Sequence, residues 1–311
     1  MTWLRLFYYV RPLIPRRLQI RIRRSLAAYK RRSAGSVWPI DPGAGDAPPG
    51  WAGWPEGKRF ALVLNHNVDT PKGHDQSVLL AELEKSLGFR STFFFVPEGY
   101  RVSKELRRRL REDGFEIGVH GLVHDGKMFS DRRVFRERAP RINAYLRDWG
   151  VRGFSSPSMV RNLEWMLDLD IEYSVSTFDT DLFEPQPEGI LRIFPFWYQE
   201  RTGSRGYVEI PFTLPQDHTL FVILKEKSGQ IWKDKLDWVV ERGGMALLIT
   251  HPDYMRFDGG PRSLEEYPAD WYADLLAYIK NRYADQYWHP LAGDMARFWK
   301  RTKLIDRPPR C

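Results

Sequence analysis

The sequence predicts an α/β fold in which parallel strands are covered by helices, and three observations carry that expectation. Runs rich in β-branched and aromatic residues alternate with longer helix-like segments between residues 59 and 300. Residues able to do chemistry follow several of these runs: Asp69 shortly after 60–64, His120 and His124 after 115–119, and His251 directly after 246–250. The C-terminal ends of strands are where barrel and open α/β enzymes gather their chemistry. Finally, 311 residues are enough for one large α/β domain with a sizeable core.

Residues 1–32 come first and hold ten Lys or Arg and no Asp or Glu. Bulky apolar residues are interleaved with them, and Pro12 and Pro15 divide the segment in two. Leu18, Ile22 and Leu26 recur four apart, so the second piece predicts a basic amphipathic helix. Such an extension suits contact with an anionic membrane surface or an acidic partner, or plain packing on the outside of the domain. Residues 33–58, with Pro39, Pro42, Gly43, Gly45, Pro48, Pro49 and Gly50, read as an irregular Pro/Gly-rich linker.

The main domain covers 59–300. Its strand candidates are 60–66, 91–96, 115–120, 171–176, 207–212, 219–224 and 245–250. Its helix candidates are 77–87, 103–112, 131–148, 234–242, 270–283 and 291–300, and Leu79, Leu80, Leu83 and Leu87 line one face of the first. A basic tail, 301–311, follows, and there is no internal repeat.

The net charge of +8 belongs to the N-terminal segment: without residues 1–32 the chain has 38 basic against 40 acidic residues. That balance argues against a nucleic-acid cleft in the main domain, so no nucleic-acid partner is expected. Cys311 is the sole cysteine, which excludes an intramolecular disulfide and gives no sign of an oxidising compartment. No apolar stretch approaches the roughly 20 residues that span a bilayer. Arg5 and Arg11 interrupt the run a signal peptide would need. A cytoplasmic location, peripheral to the inner face of the membrane, is the resulting expectation.

His120 and His124 are four apart, so on a helical turn both imidazoles face the same way and can meet one ion. The spacing alone is a weak motif, but the pair follows a β-like run and sits among Gly118, Gly121 and Gly126. Asp69 offers an oxygen ligand from another strand end, although an Asp before Thr-Pro-Lys-Gly is also a good turn former. Two imidazoles and a carboxylate leave positions open for water and substrate, as hydrolytic Zn²⁺ requires, and they also suit Co²⁺, Ni²⁺, Fe²⁺ or Mn²⁺. His251 is a candidate general acid, and Asp179 or Asp181 is the candidate carboxylate that keeps it protonated.

With these residues in place, the chain resembles the polysaccharide deacetylases (NodB-homology, carbohydrate esterase family 4) over residues 59–255. The strings Val119-His120-Gly121-Leu122-Val123-His124-Asp125-Gly126-Lys127 and Ser176-Thr177-Phe178-Asp179-Thr180-Asp181 carry the resemblance, with Arg11-Pro12-Leu13-Ile14-Pro15 as a shorter third. The resemblance implies a distorted (β/α) barrel of about seven strands, here with a basic helical extension. It implies metal-assisted removal of an N- or O-acetyl group from a sugar or polysaccharide. Asp69, His120 and His124 are then the metal ligands, His251 protonates the leaving group, and Asp179, less closely Asp181, tunes its charge.

Two positions depart from the family pattern. The base is expected two residues before the metal-binding Asp, where this chain has Asn67; the Arg that would hold it is replaced by Ser155. The two losses are coherent, because an Arg buried without its carboxylate costs several kcal/mol. Losing a general base costs about 10²–10⁴ in rate. Two functions of the metal site follow from the sequence, beside a third reading in which residues 1–32 make the chain a membrane-surface adaptor and the metal site is vestigial. One is a deacetylase with a weakened or rearranged base, for which His66 is a neighbour although strand alternation points it the other way. The other is a metal-binding homologue without turnover that binds glycan or scaffolds a glycan-assembly complex. Trp197, Tyr198, Tyr254 and Trp271 can stack on sugar rings, with core packing as the plain alternative.

Overall fold

The structure is a computed structural model that describes residues 14–33, 37–200, 205–260, 263–302 and 304. The expectations for residues 1–13 and for most of the basic tail lie outside the described residues. Helix α1 (Arg16–Ser33) lies on the surface of the domain and buries Ile20 and Ala27. Leu18, Ile22 and Leu26 are about half exposed, so the apolar repeat legible in the sequence points outward. Residues 37–58 are irregular apart from two short 3-10 turns, and they pack: Trp38, Ala44 and Trp54 are part of the core.

The main domain then runs β1 (Phe60–Val68), α2 (Pro71–Leu87), β2 (Thr92–Phe95), α3 (Lys104–Glu112), β3 (Glu116–His120), α4 (Arg132–Trp149), β4 (Gly153–Ser155) and β5 (Tyr173–Ser174). It continues with β6 (Phe196–Gln199), β7 (Gly206–Glu209), α5 (Gln230–Glu241), β8 (Met245–Thr250), β9 (Met255–Arg256), β10 (Tyr267–Pro268), α6 (Asp270–Arg282), β11 (Tyr287–Trp288) and α7 (Ala292–Thr302). Every residue of β1 and β8 is buried, because parallel strands are covered on both faces. Helix α2 starts where Thr70 caps it and Pro71 occupies its first turn, and it stops at Gly88 in the left-handed conformation.

Parallel pairing runs β1–β2–β3–β4–β5–β7, and β8 pairs with β1 along residues 61–66. Two single parallel bridges, Phe178↔Phe212 and Leu214↔Leu248, carry the chain beyond β5 and β7 across to β8. Seven strands therefore curl round on themselves, and the last seam is a bridge rather than a ladder. This is a distorted (β/α) barrel. Strands β6, antiparallel on β7, and β11, beside the start of β1, are additions to it.

Several elements differ from the sequence expectation. Residues 219–224 are not a strand; a π-helical turn, His218–Ile223, occupies them, with Asp217 capping its start. A short buried apolar run does not distinguish strand from helix by pattern. Strands β4, β6 and β11 are too short to show a period of two, and β5 keeps only two ladder residues. In α2, Leu80 is buried but Leu79 is half exposed.

Strand β3 ends on His120 and the chain turns at Gly121, where φ is 61° and an added Cβ would lie 2.4 Å from the Cγ of Pro157. Gly121→Ala should destabilise the fold by about 2 kcal/mol or more, through left-handed strain and overpacking together, as measured by urea unfolding.

Candidate metal centre

Alternation along β1 sorts its polar residues. His66 points outward, where Nε2 is 2.9 Å from Glu84 on α2 and Nδ1 is 2.8 Å from Oγ1 of Thr250 on β8. Burial works against the Glu84 carboxylate, but His66, Ser91 and Tyr272 outweigh it and hold its pKa below the usual range. His66 is thereby committed to a buried network behind the sheet and does not face the cleft. Asn67 and Asp69 have the opposite parity and line a cleft of about 480 Å³ at the C-terminal ends of the strands.

His120 ends β3 and its Nδ1 lies 3.0 Å from the carbonyl oxygen of Ser155, the last residue of β4. A carbonyl only accepts, so Nδ1 carries a proton, and Nε2 is the ring nitrogen turned towards Asp69. That Nε2 faces Oδ1 of Asp69 at 3.4 Å, and both atoms are buried without a hydrogen-bond partner. Nε2 of His124 lies 3.5 Å from Oδ2 of the same carboxylate. The donor atoms of the three residues are within 4.8 Å of one another. Loop residues 121–127, turned by Gly121, bring His124 back to His120, rather than the helical turn expected from their spacing. Burial opposes ionisation of Asp69, yet His124 and His120 prevail and hold its carboxyl well below the usual carboxylate range. Two buried atoms without hydrogen-bond partners, an imidazole nitrogen and a carboxylate oxygen, are the surroundings a divalent cation satisfies.

Across the cleft, His251 follows β8. Its Nδ1 is 2.7 Å from Oδ1 of Asp217, and its backbone N–H donates to Oδ2 of the same side chain at 2.7 Å. The Tyr267 hydroxyl also donates to Asp217, at 2.9 Å. Burial alone would lower the His251 pKa, but Asp217 outweighs it and raises it to about 9. The ring is therefore protonated at neutral pH.

Asp179 is a correction. It accepts a hydrogen bond from Nζ of Lys235 at 2.9 Å, and both side chains are fully buried. Burial raises its pKa to about 6 and Lys235 opposes the rise. Its charge is engaged by that lysine and the partner of His251 is Asp217. Asp181 instead accepts from the backbone N–H of Phe183. Asp217 was hidden in the sequence because it precedes an apolar run that reads as a strand; the polar cluster Gln216-Asp217-His218 was the one available signal.

Asn67 lines the cleft with its Oδ1 buried and unsatisfied, and Ser155 is fully buried with its Oγ likewise unsatisfied. Apart from Asp69, Glu184 is the one carboxylate among the cleft residues; it accepts from Gln216 at 2.6 Å, and burial raises its pKa. Of the four aromatics, Tyr254 lines the cleft beside His218 and His251. Trp197 borders a separate hollow with Lys300, Tyr198 packs on Tyr207 with the rings tilted by 39°, and Trp271 packs on Phe221.

A curled parallel sheet carries a His/Asp cluster and a carboxylate-held His at its C-terminal mouth, and comparison identifies the fold. The chain has the polysaccharide-deacetylase fold. It is similar to a protein assigned as a polysaccharide deacetylase from Mycobacterium smegmatis, at 18% identity and a TM-score of 0.65, covering 85% of this chain and 98% of the other. One from Pseudomonas aeruginosa PAO1 matches at 18% identity and a TM-score of 0.59, covering 81% and 95%. The allantoinase PuuE matches at 18% identity and a TM-score of 0.59, covering 81% and 93%. One fold therefore carries more than one activity, and the site must decide the function. No family model matches the chain, and no curated protein matches it.

The His251–Asp217 pair generates a pH prediction. In wild type the ring holds its proton up to about pH 9. Because the folded pKa lies above the unfolded value of about 6.5, the pair's contribution is complete below that pH and is lost as pH rises towards 9. The shift corresponds to an order of 3 kcal/mol. Asp217→Asn should return the His251 pKa to its ordinary value or lower by NMR titration, and urea unfolding of the variant should lose that pH dependence.

Proposed function

We propose that this chain is a metal-dependent hydrolase of deacetylase type that acts on an N- or O-acetylated sugar or polysaccharide. The carrying observation is the pair of orphaned buried atoms, Asp69 Oδ1 and His120 Nε2, held in one cleft with a protonated His251. A divalent cation held by Asp69, His120 and His124, with Zn²⁺ the first choice and Co²⁺, Ni²⁺, Fe²⁺ or Mn²⁺ compatible, would polarise the acyl carbonyl and make a water acidic.

The chain's own residues supply the rest. Ser155 fixes the His120 tautomer through its backbone carbonyl, a task independent of its side chain. His251 donates its proton to the leaving amine or alkoxide, and Asp217 keeps the ring charged and oriented until then. Asn67 offers a carbonyl oxygen that can orient a water but accepts no proton at neutral pH. Tyr254 gives an arriving sugar an aromatic surface at the cleft wall.

Asn67 favours a second reading, in which the metal and the cleft bind an acetylated glycan without turnover. Metal analysis comes first: the purified chain should bind one equivalent of divalent metal, and His120→Ala or Asp69→Asn should abolish it. Absence of metal from the parent protein would remove both readings. Acetate release from acetylated oligosaccharides then separates them. Installing Asn67→Asp together with Ser155→Arg should raise the rate by about 10²–10⁴, the usual worth of a general base. Unchanged rates with metal bound would show that position 67 is not what limits the reaction.

A further inference from the structure

Helix α1 carries an apolar stripe that stays half exposed among the described residues. Leu18, Ile22 and Leu26 are 48%, 48% and 52% exposed, and Tyr29 is 71% exposed. At about 100° per residue these four fall within roughly 80° of one another. Arg17, Arg21 and Arg32, all exposed, lie along one flank of the stripe. Along the other flank are Gln19, Arg23 and Lys30, which line the cleft, and Ile22 and Leu26 belong to both the stripe and the cleft wall.

The helix is a fixed part of the surface. Arg16 pairs with Glu265 and Arg31 with Glu226, while Arg24 donates to the carbonyls of Val222 and Leu264, and Lys30 to that of Leu182. Ile20 and Ala27 already fill its inner face, so the outer stripe is not waiting to be packed against the body. Helix α1 contains no acidic residue. An apolar stripe edged by arginines complements an anionic lipid surface: the side chains enter the interface and the guanidinium groups meet lipid phosphates.

We propose that α1 is an interfacial helix that lays Leu18, Ile22, Leu26 and Tyr29 into an anionic bilayer surface, so that the cleft opens at the membrane. A saccharide carried on a lipid then meets the cleft rim directly. That choice of substrate rests on the deacetylase reading; the docking does not.

The test uses the full chain, without added metal or sugar, in flotation with phosphatidylethanolamine vesicles prepared with and without phosphatidylglycerol. Phosphatidylglycerol should tighten binding by about tenfold or more, and high salt should weaken it. Leu18→Ser with Ile22→Ser should reduce binding by about tenfold, whereas Leu18→Met with Ile22→Leu should retain it. An environment-sensitive dye gives an independent reading in a Cys311→Ser background. Placed at Leu18→Cys it should shift to the blue on vesicles, and at Arg59→Cys, before the opposite end of β1, it should not. Equal binding to both vesicles, binding untouched by the serine variants, or a lipid-free oligomer that those variants dissolve would each overturn the proposal. Because neither readout involves hydrolysis or metal, loss of the deacetylase reading leaves this test intact, and the reverse holds too.

Discussion

The register of β1 is the constraint on which the site depends. Its outer face is pinned by His66, whose two ring nitrogens reach Glu84 on α2 and Thr250 on β8 in a fully buried network. A slip of one residue would carry His66 into the barrel and turn Asn67 and Asp69 outward, because side chains alternate with a period of two. It would also leave the buried Glu84 carboxylate without the hydrogen bond it shares with His66, which is strongly unfavourable. The same contact sets β8: with Thr250 committed to the outside, the next residue, His251, is delivered to the cleft. One polar network behind the sheet thus fixes both walls of the site in front of it.

Those walls have opposite electrostatic characters for different reasons. Asp69 is kept ionised by two imidazoles despite complete burial. His251 is kept protonated by a carboxylate that also accepts from its own backbone N–H and from Tyr267. Asp217 is in turn held in place by capping the π-helical turn, since its Oδ1 accepts from the N–H of His218. Such turns are rare, and they tend to mark functional sites. The turn's His218 N–H, the His251 N–H and the Tyr267 hydroxyl together give one carboxylate three donors besides the imidazole, and that rigidity allows His251 to stay charged in a buried position.

Much of this was legible in the sequence, though unevenly. The long elements were, because α2, α4, β1 and β8 carry patterns that outlast local noise. Asp69, His120, His124 and His251 were legible because each sits at the end of such a run. What escaped depends on contacts that sequence spacing does not encode. Asp217 reaches His251 from 34 positions earlier, across the seam where β8 meets the segment after β7. Asp179, in a string that resembles a family motif, turned out to be engaged by Lys235, a residue on α5 that no pattern connects to it. The stripe on α1 was visible as a period of four, but periodicity tells which residues share a face and not which way that face looks.

The two departures from the deacetylase pattern can be separated from the parts that remain, and the structure shows why. Position 155 does two jobs: its side chain is where a clamp for the base would stand, and its carbonyl fixes the tautomer of His120. Only the first depends on residue type. A serine there carries no buried charge, and the carbonyl contact that orients His120 does not depend on its side chain. Position 67 is separable in the same way, because strand parity, not its side chain, aims Asp69 into the cleft. Each position holds an unsatisfied buried oxygen, Asn67 Oδ1 on the cleft wall and Ser155 Oγ behind His120 on the neighbouring strand. Neutral orphans of this kind cost about 1–3 kcal/mol each, less than a stranded arginine or carboxylate would. The Asp69–His120–His124 cluster and the His251–Asp217 pair therefore keep their geometry with Asn67 and Ser155 in place.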